Sequence, residues 1–235
     1  MRYALYFTPP ADDPLTVAAN RWLGRDAFRN EVLPRRSIAG IDAGELAFLT
    51  AAPRRYGFHA TLKAPFALAE GTTEAELLAA LDAFAAGRTC ETGPRLTVGV
   101  LDGFFALVPD EHSPALHELA DAVVRDFDCF RAPLSDGEFE RRNPAQLTSD
   151  ELKTLTLWGY PYVFETFRFH MTLTGRVEPA QASRTRAAIV DHFGPLLDAP
   201  IELSALALFV EPQPGEPFHV RSLHWFGKRL SKRFA

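Results

Sequence analysis

The spacing of apolar and polar positions changes several times along the chain, and each change predicts an element. Arg2 to Thr8 alternates and is rich in aromatic residues, which predicts a strand that Pro9 and Pro10 stop. Asp13-Pro14 opens a helix with an acidic cap and a proline in its first turn, running to Gly24. A looser stretch to about Pro53 contains a short helix near Asp42 to Leu49. Residues 56–68, YGFHATLKAPFAL, read as a strand in which Pro65 marks an edge position or the strand's end. TTEAELLAALDAFAAG then has a Thr cap, a Glu three residues on, apolar residues at helical spacing and a stop at Gly87. Arg95 to Val108 is one long strand or a hairpin bending at Asp102-Gly103.

A second round follows. SPALHELADAVVRDF is a helix capped by Ser113 with Pro114 in its first turn. Residues 131–162 form a polar, irregular connection in which TSDELKTLTLWG carries a capping signature and predicts another helix. TFRFHMTLTGRV is a strand, Pro179 to Leu197 a helix, and IELSALALFV with PFHVRSLHWFG a closing hairpin. Motif strand, helix and long strand thus occur twice, in units of about 55–108 and 165–226 within a single bilobal domain of residues 1–235. The period, near 110 residues, is too long for a solenoid.

The repeat carries the chain's most informative motif, FHATL at Phe58 to Leu62 and FHMTL at Phe169 to Leu173, in a protein with seven histidines. Side chains alternate along a strand, so Phe58, Ala60 and Leu62 share one face while His59, Thr61 and Lys63 share the other. Phe169, Met171 and Leu173 divide in the same way from Arg168, His170, Thr172 and Thr174. The apolar faces are expected under helices and the polar faces in a cleft between two lobes. Two imidazoles that titrate near neutrality, two hydroxyls, one ammonium and one guanidinium suit a phosphoester. One imidazole takes a proton while the other gives one; Thr61 and Thr172 donate to non-bridging oxygens, and Lys63 and Arg168 offset negative charge. A single HxT is close to noise; two copies with the same flanking residues on repeated strands are not. The bland alternative is an old duplication whose polar faces survive as a solvated groove.

The paired FHATL and FHMTL resemble the two HxT signatures of the 2H phosphoesterase superfamily. RYALYF, PRRYGFHATLKAPF and WGYPYVFETFRFHMTLTG look like a branch of it associated with phosphonate utilisation, so the resemblance covers nearly the whole chain. It implies an α+β, pseudo-twofold bilobal fold with two antiparallel sheets lining a central groove and helices outside. It also implies metal-independent hydrolysis of a small cyclic phosphodiester, a ribose cyclic phosphate or a nucleoside 2′,3′-cyclic phosphate. On that carry-over His59 and His170 are the catalytic acid and base, in an order left open, and Thr61 and Thr172 bind the phosphate. Lys63 and Arg168 lie outside the HxT pattern and rest on strand parity alone. The alternative is a non-catalytic binder or sensor of a phosphorylated metabolite or RNA end.

Composition narrows the surroundings more than the chemistry. At 235 residues the chain is long enough to bury roughly 70% of its unfolded surface. A formal charge of −5 gives no global footprint for duplex DNA or anionic lipid, so a phosphorylated ligand needs a local site. The basic ending with Lys228, Arg229, Lys232 and Arg233 reads as a solvated tail. Cys90 and Cys129 make no disulfide framework, no stretch approaches the length of a membrane span, and the N-terminal segment reads as a strand rather than a leader. A cytoplasmic protein is the expectation. Among weaker candidates, Tyr6 and Thr8 face the groove if the first strand joins the motif sheet, with Tyr3, Leu5 and Phe7 then in the core; the opposite parity is the alternative. Tyr56 stacks on a ligand or packs, and Trp158, Tyr160 and Tyr162 form an aromatic loop that closes over a ligand or anchors in the core. His112 and His117 are five residues apart and share no helical face; His219 and His224 sit on the last hairpin with nothing to pair them. No metal-ligand spacing is present, so no metal or cofactor is expected.

Overall fold

A computed structural model describes residues 1–227 and 232–234, so Lys228 and Arg229 of the basic ending lie outside the described residues. The strands are β1 (Arg2–Phe7), β2 (Ala60–Phe66), β3 (Leu96–Leu101), β4 (Phe104–Pro109), β5 (Met171–Arg176), β6 (Ala205–Glu211), β7 (His219–Trp225) and β8 (Lys232–Arg233). They form one sheet in the order β8-β7-β6-β1-β2-β5-β4-β3, antiparallel throughout. The protein is therefore α+β with an antiparallel sheet, but the two expected sheets are continuous. They meet where β2 and β5 pair at one register position, Ala60 opposite Met171.

The repeat is laid out across that junction. The β3–β4 hairpin follows the first motif strand in sequence but pairs beside the second, β5. The β6–β7 hairpin follows the second motif strand but lies against β1, the neighbour of the first. Each copy thus places its hairpin in the other's half of the sheet.

Local chemistry explains the elements. In α1 (Pro14–Leu23) Asp13 accepts from the Leu15 amide and Gly24 closes the helix at φ 71°. Short α2 (Ala43–Leu49) is capped by Asp42. In α3 (Glu74–Ala86) Thr73 and Glu76 form a capping box, and in α4 (Pro114–Asp126) Ser113 caps Leu116. Two helices occupy the connection, α5 (Asp136–Glu140) and α6 (Ser149–Trp158), each with its own capping box. The last, α7 (Pro179–Phe193), is followed by a short 3-10 turn at Gly194–Leu196. Asp102 and Gly103 both have positive φ, the geometry of a tight hairpin turn.

The main core lies between one face of the sheet and α1, α3, α4 and α7. Leu5, Phe7, Leu62, Met171 and Leu173 meet Trp22, Leu81, Val123, Ile189 and Phe193 there, all buried. Trp22 Nε1–H donates to the Leu173 carbonyl at 2.9 Å and ties α1 to β5. The opposite face carries a smaller cluster around Ala4, Tyr6, Phe209 and Phe218, and beside it the sheet is open. Among the described residues no helix is long and apolar enough to cross a membrane.

Candidate functional site

The open face is occupied by a cavity of about 410 Å³, a size suited to a small ligand, and both motifs reach it: His59, Thr61, His170 and Thr172 all line it. Their arrangement follows from the junction. With Ala60 opposite Met171 in an antiparallel pair, His59 falls opposite Thr172 and Thr61 opposite His170. The apolar partners point the other way: Phe58, Ala60, Leu62, Phe169, Met171 and Leu173 are all buried. Strand parity, read over the pentapeptides, agrees with this layout.

The two imidazoles are held alike. His59 Nδ1–H donates to the Gly57 carbonyl at 2.9 Å, and His170 Nδ1–H to the Arg168 carbonyl at 2.7 Å. A carbonyl only accepts, so each Nδ1 carries the proton and each Nε2 keeps its lone pair. The Thr61 hydroxyl donates to His59 Nε2 at 3.3 Å. Gly57 has φ +77°, and a Cβ there would lie 2.6 Å from that of Ala27, so the turn that aims its carbonyl at His59 requires glycine. Both histidines stand one residue before their assigned strands.

Burial sets their charge. His59 lies against Tyr6, ring centroids 3.9 Å apart at 23°, with Tyr56 and Phe209 at 6.1 and 6.0 Å. This enclosure pushes its pKa down to about 4, helped by the field of His170 and opposed by the bond to Gly57. Burial also lowers the pKa of His170, opposed by the bond to the Arg168 carbonyl and, to a smaller extent, helped by the charge of the Arg168 guanidinium. Both imidazoles are therefore neutral at pH 7.

Strand parity fails beyond the threonines. The register of β2 against β1 shifts between Thr61 and Lys63, and that of β5 against β4 shifts past Thr172. A shift of one residue moves a side chain to the other face. Lys63 accordingly leaves the groove: it is buried, with Nζ donating to Asp128 Oδ1 at 2.9 Å, and Ala64 and Pro65 line the cavity instead. Thr174 is likewise buried and accepts from the Phe105 amide. Arg168 is exposed and lines an adjoining cavity of about 590 Å³ that shares His170, Arg142 and Tyr160 with the first.

Tyr6 and Tyr56 both line the groove. Tyr56 is also packed, stacked on Phe218 at 5.3 Å. Thr8 is buried and donates to the Phe58 carbonyl. Of the aromatic loop, Tyr160 reaches the groove, while Trp158 packs edge-on against Phe164. His112 and His117 stack at 4.8 Å, since His112 precedes α4 and is not bound by helical spacing. His224 faces away from the groove in a chain of its own: Ser222 Oγ to His224 Nε2 is 2.8 Å and His224 Nδ1 to Asp82 Oδ1 is 2.6 Å. The order resembles a nucleophilic triad, but Ser222 and His224 are fully buried, so it pins α3 to β7.

The cations were the part the sequence reading missed. Arg2, Arg55, Arg141 and Arg142 line the cavity, with Glu138 as the one acid among the described residues. Arg2 and Arg55 share the carboxylate of buried Glu211. Arg141 and Arg142 follow α5, whose Ser135-x-x-Glu138 capping box is the same signature as Thr148-x-x-Glu151 and was legible in what was read as irregular connection.

Comparison with known proteins corrects the activity inferred from the motifs. A ribose 1,5-bisphosphate phosphokinase PhnN of Janthinobacterium sp. (strain Marseille) is 42% identical over 221 residues, 92% of this chain and 49% of that protein. A protein of the same name from Laribacter hongkongensis (strain HLHK9) is 40% identical over 227 residues, 96% of this chain and 52% of that protein. The chain spans about half the length of the curated relatives it matches. Their name is that of a phosphoryl transferase, which overturns the expected hydrolase of cyclic phosphodiesters and the cyclic phosphodiesterase class with it. The model of a family described as a protein of unknown function, DUF1045, matches residues 61–219, from the threonine of the first motif through the second and into β7. With that match over more than half its length, the chain belongs to the DUF1045 family.

Proposed function

We propose that the groove binds a phosphorylated ribose in phosphonate metabolism, with His59 and His170 as a paired proton acceptor and donor at the phosphate ester. The observation that carries this reading is the facing pair of HxT motifs, each histidine opposite the other's threonine, with both Nε2 lone pairs free of backbone partners. The name of the relatives supports the ribose phosphate and, through PhnN, the phosphonate setting. Membership of the 2H phosphoesterase superfamily is the finer family proposal, supported by the same local twofold. The 235 residues contain no GxxxxGK[ST] run, the loop that cradles nucleotide phosphates in one large class of phosphoryl transferases. The contribution assigned to this chain is therefore ligand binding and proton transfer.

The test is calorimetric titration with ribose 5-phosphate in two buffers of different ionisation enthalpy. An anion beside an imidazole raises its pKa, so binding is expected to take up protons and to strengthen as pH falls from about 8 to 6. His59→Ala and His170→Ala should each weaken binding and reduce the uptake. Proton uptake that persists in the double variant, or no binding at all, would refute the assignment.

A further inference from the structure

The lining of the groove has charges that the motifs do not explain. Four guanidinium groups belong to it. Glu211 holds Arg2 and Arg55, and the carboxylate of Glu138 is engaged by the amide and hydroxyl of Ser135 in its capping box. Arg141 and Arg142 make no ion pair within 4 Å among the described residues. Arg142 instead lies over the Tyr160 ring, 5.0 Å from its centroid, and both residues line the cavity.

The charge of Arg141 helps lower the Glu138 pKa without an ion pair between them. Two adjacent arginines that make no ion pair among the described residues at a cavity wall form an anion site, because a planar fork matches phosphate oxygens two at a time. The HxT pair is the phosphate site of the function proposed above, and it draws on none of these arginines. The segment bearing the arginines is also anchored. Arg131 donates to Asp128 at 2.8 Å and to the Leu157 carbonyl at 3.1 Å, bracketing the connection, and Lys63 holds the same Asp128 from β2. The buried lysine thus ties the segment bearing the arginines to the strand that His59 leads into.

We infer that the ligand of this groove carries two phosphoryl groups, one between the HxT motifs and the second held by Arg141 and Arg142: a sugar bisphosphate. This rests on the reading of the groove as a phosphorylated-ribose site, and two ligands separate the failure of one from the failure of the other. Titrations with ribose 5-phosphate and ribose 1,5-bisphosphate are expected to show the bisphosphate binding at least about tenfold more tightly, since a second phosphate gains charge-assisted hydrogen bonds. In an Arg141→Ala/Arg142→Ala variant, with its thermal midpoint measured alongside, the two affinities should converge. Arg142→Lys keeps the charge without the fork and should recover part of the difference. Equal affinities in the unaltered protein, or a preference that survives the double substitution, overturn the bisphosphate assignment. Failure of both esters to bind overturns the groove reading on which it stands.

Discussion

The two HxT segments match in backbone and differ in surroundings. Each histidine donates from Nδ1 to the carbonyl two residues back, each precedes its strand by one residue, and each strand shifts register after its threonine. Around them the halves diverge. His59 is enclosed by Tyr6, Tyr56 and Phe209, whereas His170 has Phe104 at 5.9 Å and borders two cavities. The backbone repeat fixes where each Nε2 points; the unrepeated neighbours fix when each ring becomes charged. A matched pair with unmatched environments is how one residue type can fill two proton-transfer roles.

The strongest way to break the comparison is to empty the box around His59. Tyr6→Ala removes a fully buried ring and should cost about 3 to 5 kcal/mol, read as a fall in thermal midpoint, while Tyr6→Phe should hold close to the parent. In the alanine variant the His59 pKa should rise from about 4 toward the ordinary value, followed by NMR. A His59 that still titrated near 4 would show that the aromatic enclosure is not the cause.

Next in size is the effect of acid. His59 has a folded pKa of about 4 against 6.5 when unfolded, so between those values the unfolded chain binds more protons. The stabilisation is complete above pH 6.5 and is lost as pH falls through 4, of order 3 kcal/mol for this group. Chemical denaturation at several pH values should show the decline, and His59→Asn should flatten it. Within the same titration His170 should take the first proton, being the less enclosed ring; His59 protonating first would reverse the assignment.

The smallest effects separate the two positions that follow the threonines. Lys63→Met leaves Asp128 with Arg131 alone and should cost about 1 to 2 kcal/mol after allowance for the partial exposure of Asp128, while also weakening the preference for a bisphosphate. Thr174→Val leaves the Phe105 amide without its acceptor at a similar cost, about 1 to 2 kcal/mol, with no change in that preference. Denaturation and paired titrations measure both. Equal effects on ligand preference would mean that Lys63 does not anchor the arginine wall.

These positions also show how far the sequence reaches. Capped helices, the Asp102-Gly103 turn and the in-out division of each pentapeptide were legible because each depends on residues at most a few places apart. The register shift was not, since one extra residue leaves the composition of a strand unchanged yet moves Lys63 from groove to core. The placement of Arg2 was not either: it meets Glu211 across 209 positions, a distance that only topology closes. The exchange of hairpins between halves is likewise a non-local pairing that local periodicity does not encode.

The single pairing at Ala60 and Met171 acts as a fulcrum. With so little backbone joining the half-sheets, the reach between the imidazoles is set by the pitch of one half against the other. That pitch is held from behind, where Trp22 clasps the Leu173 carbonyl. The gauge of the groove is thus written on the far side of the sheet, in packing that no residue of either motif's polar face takes part in.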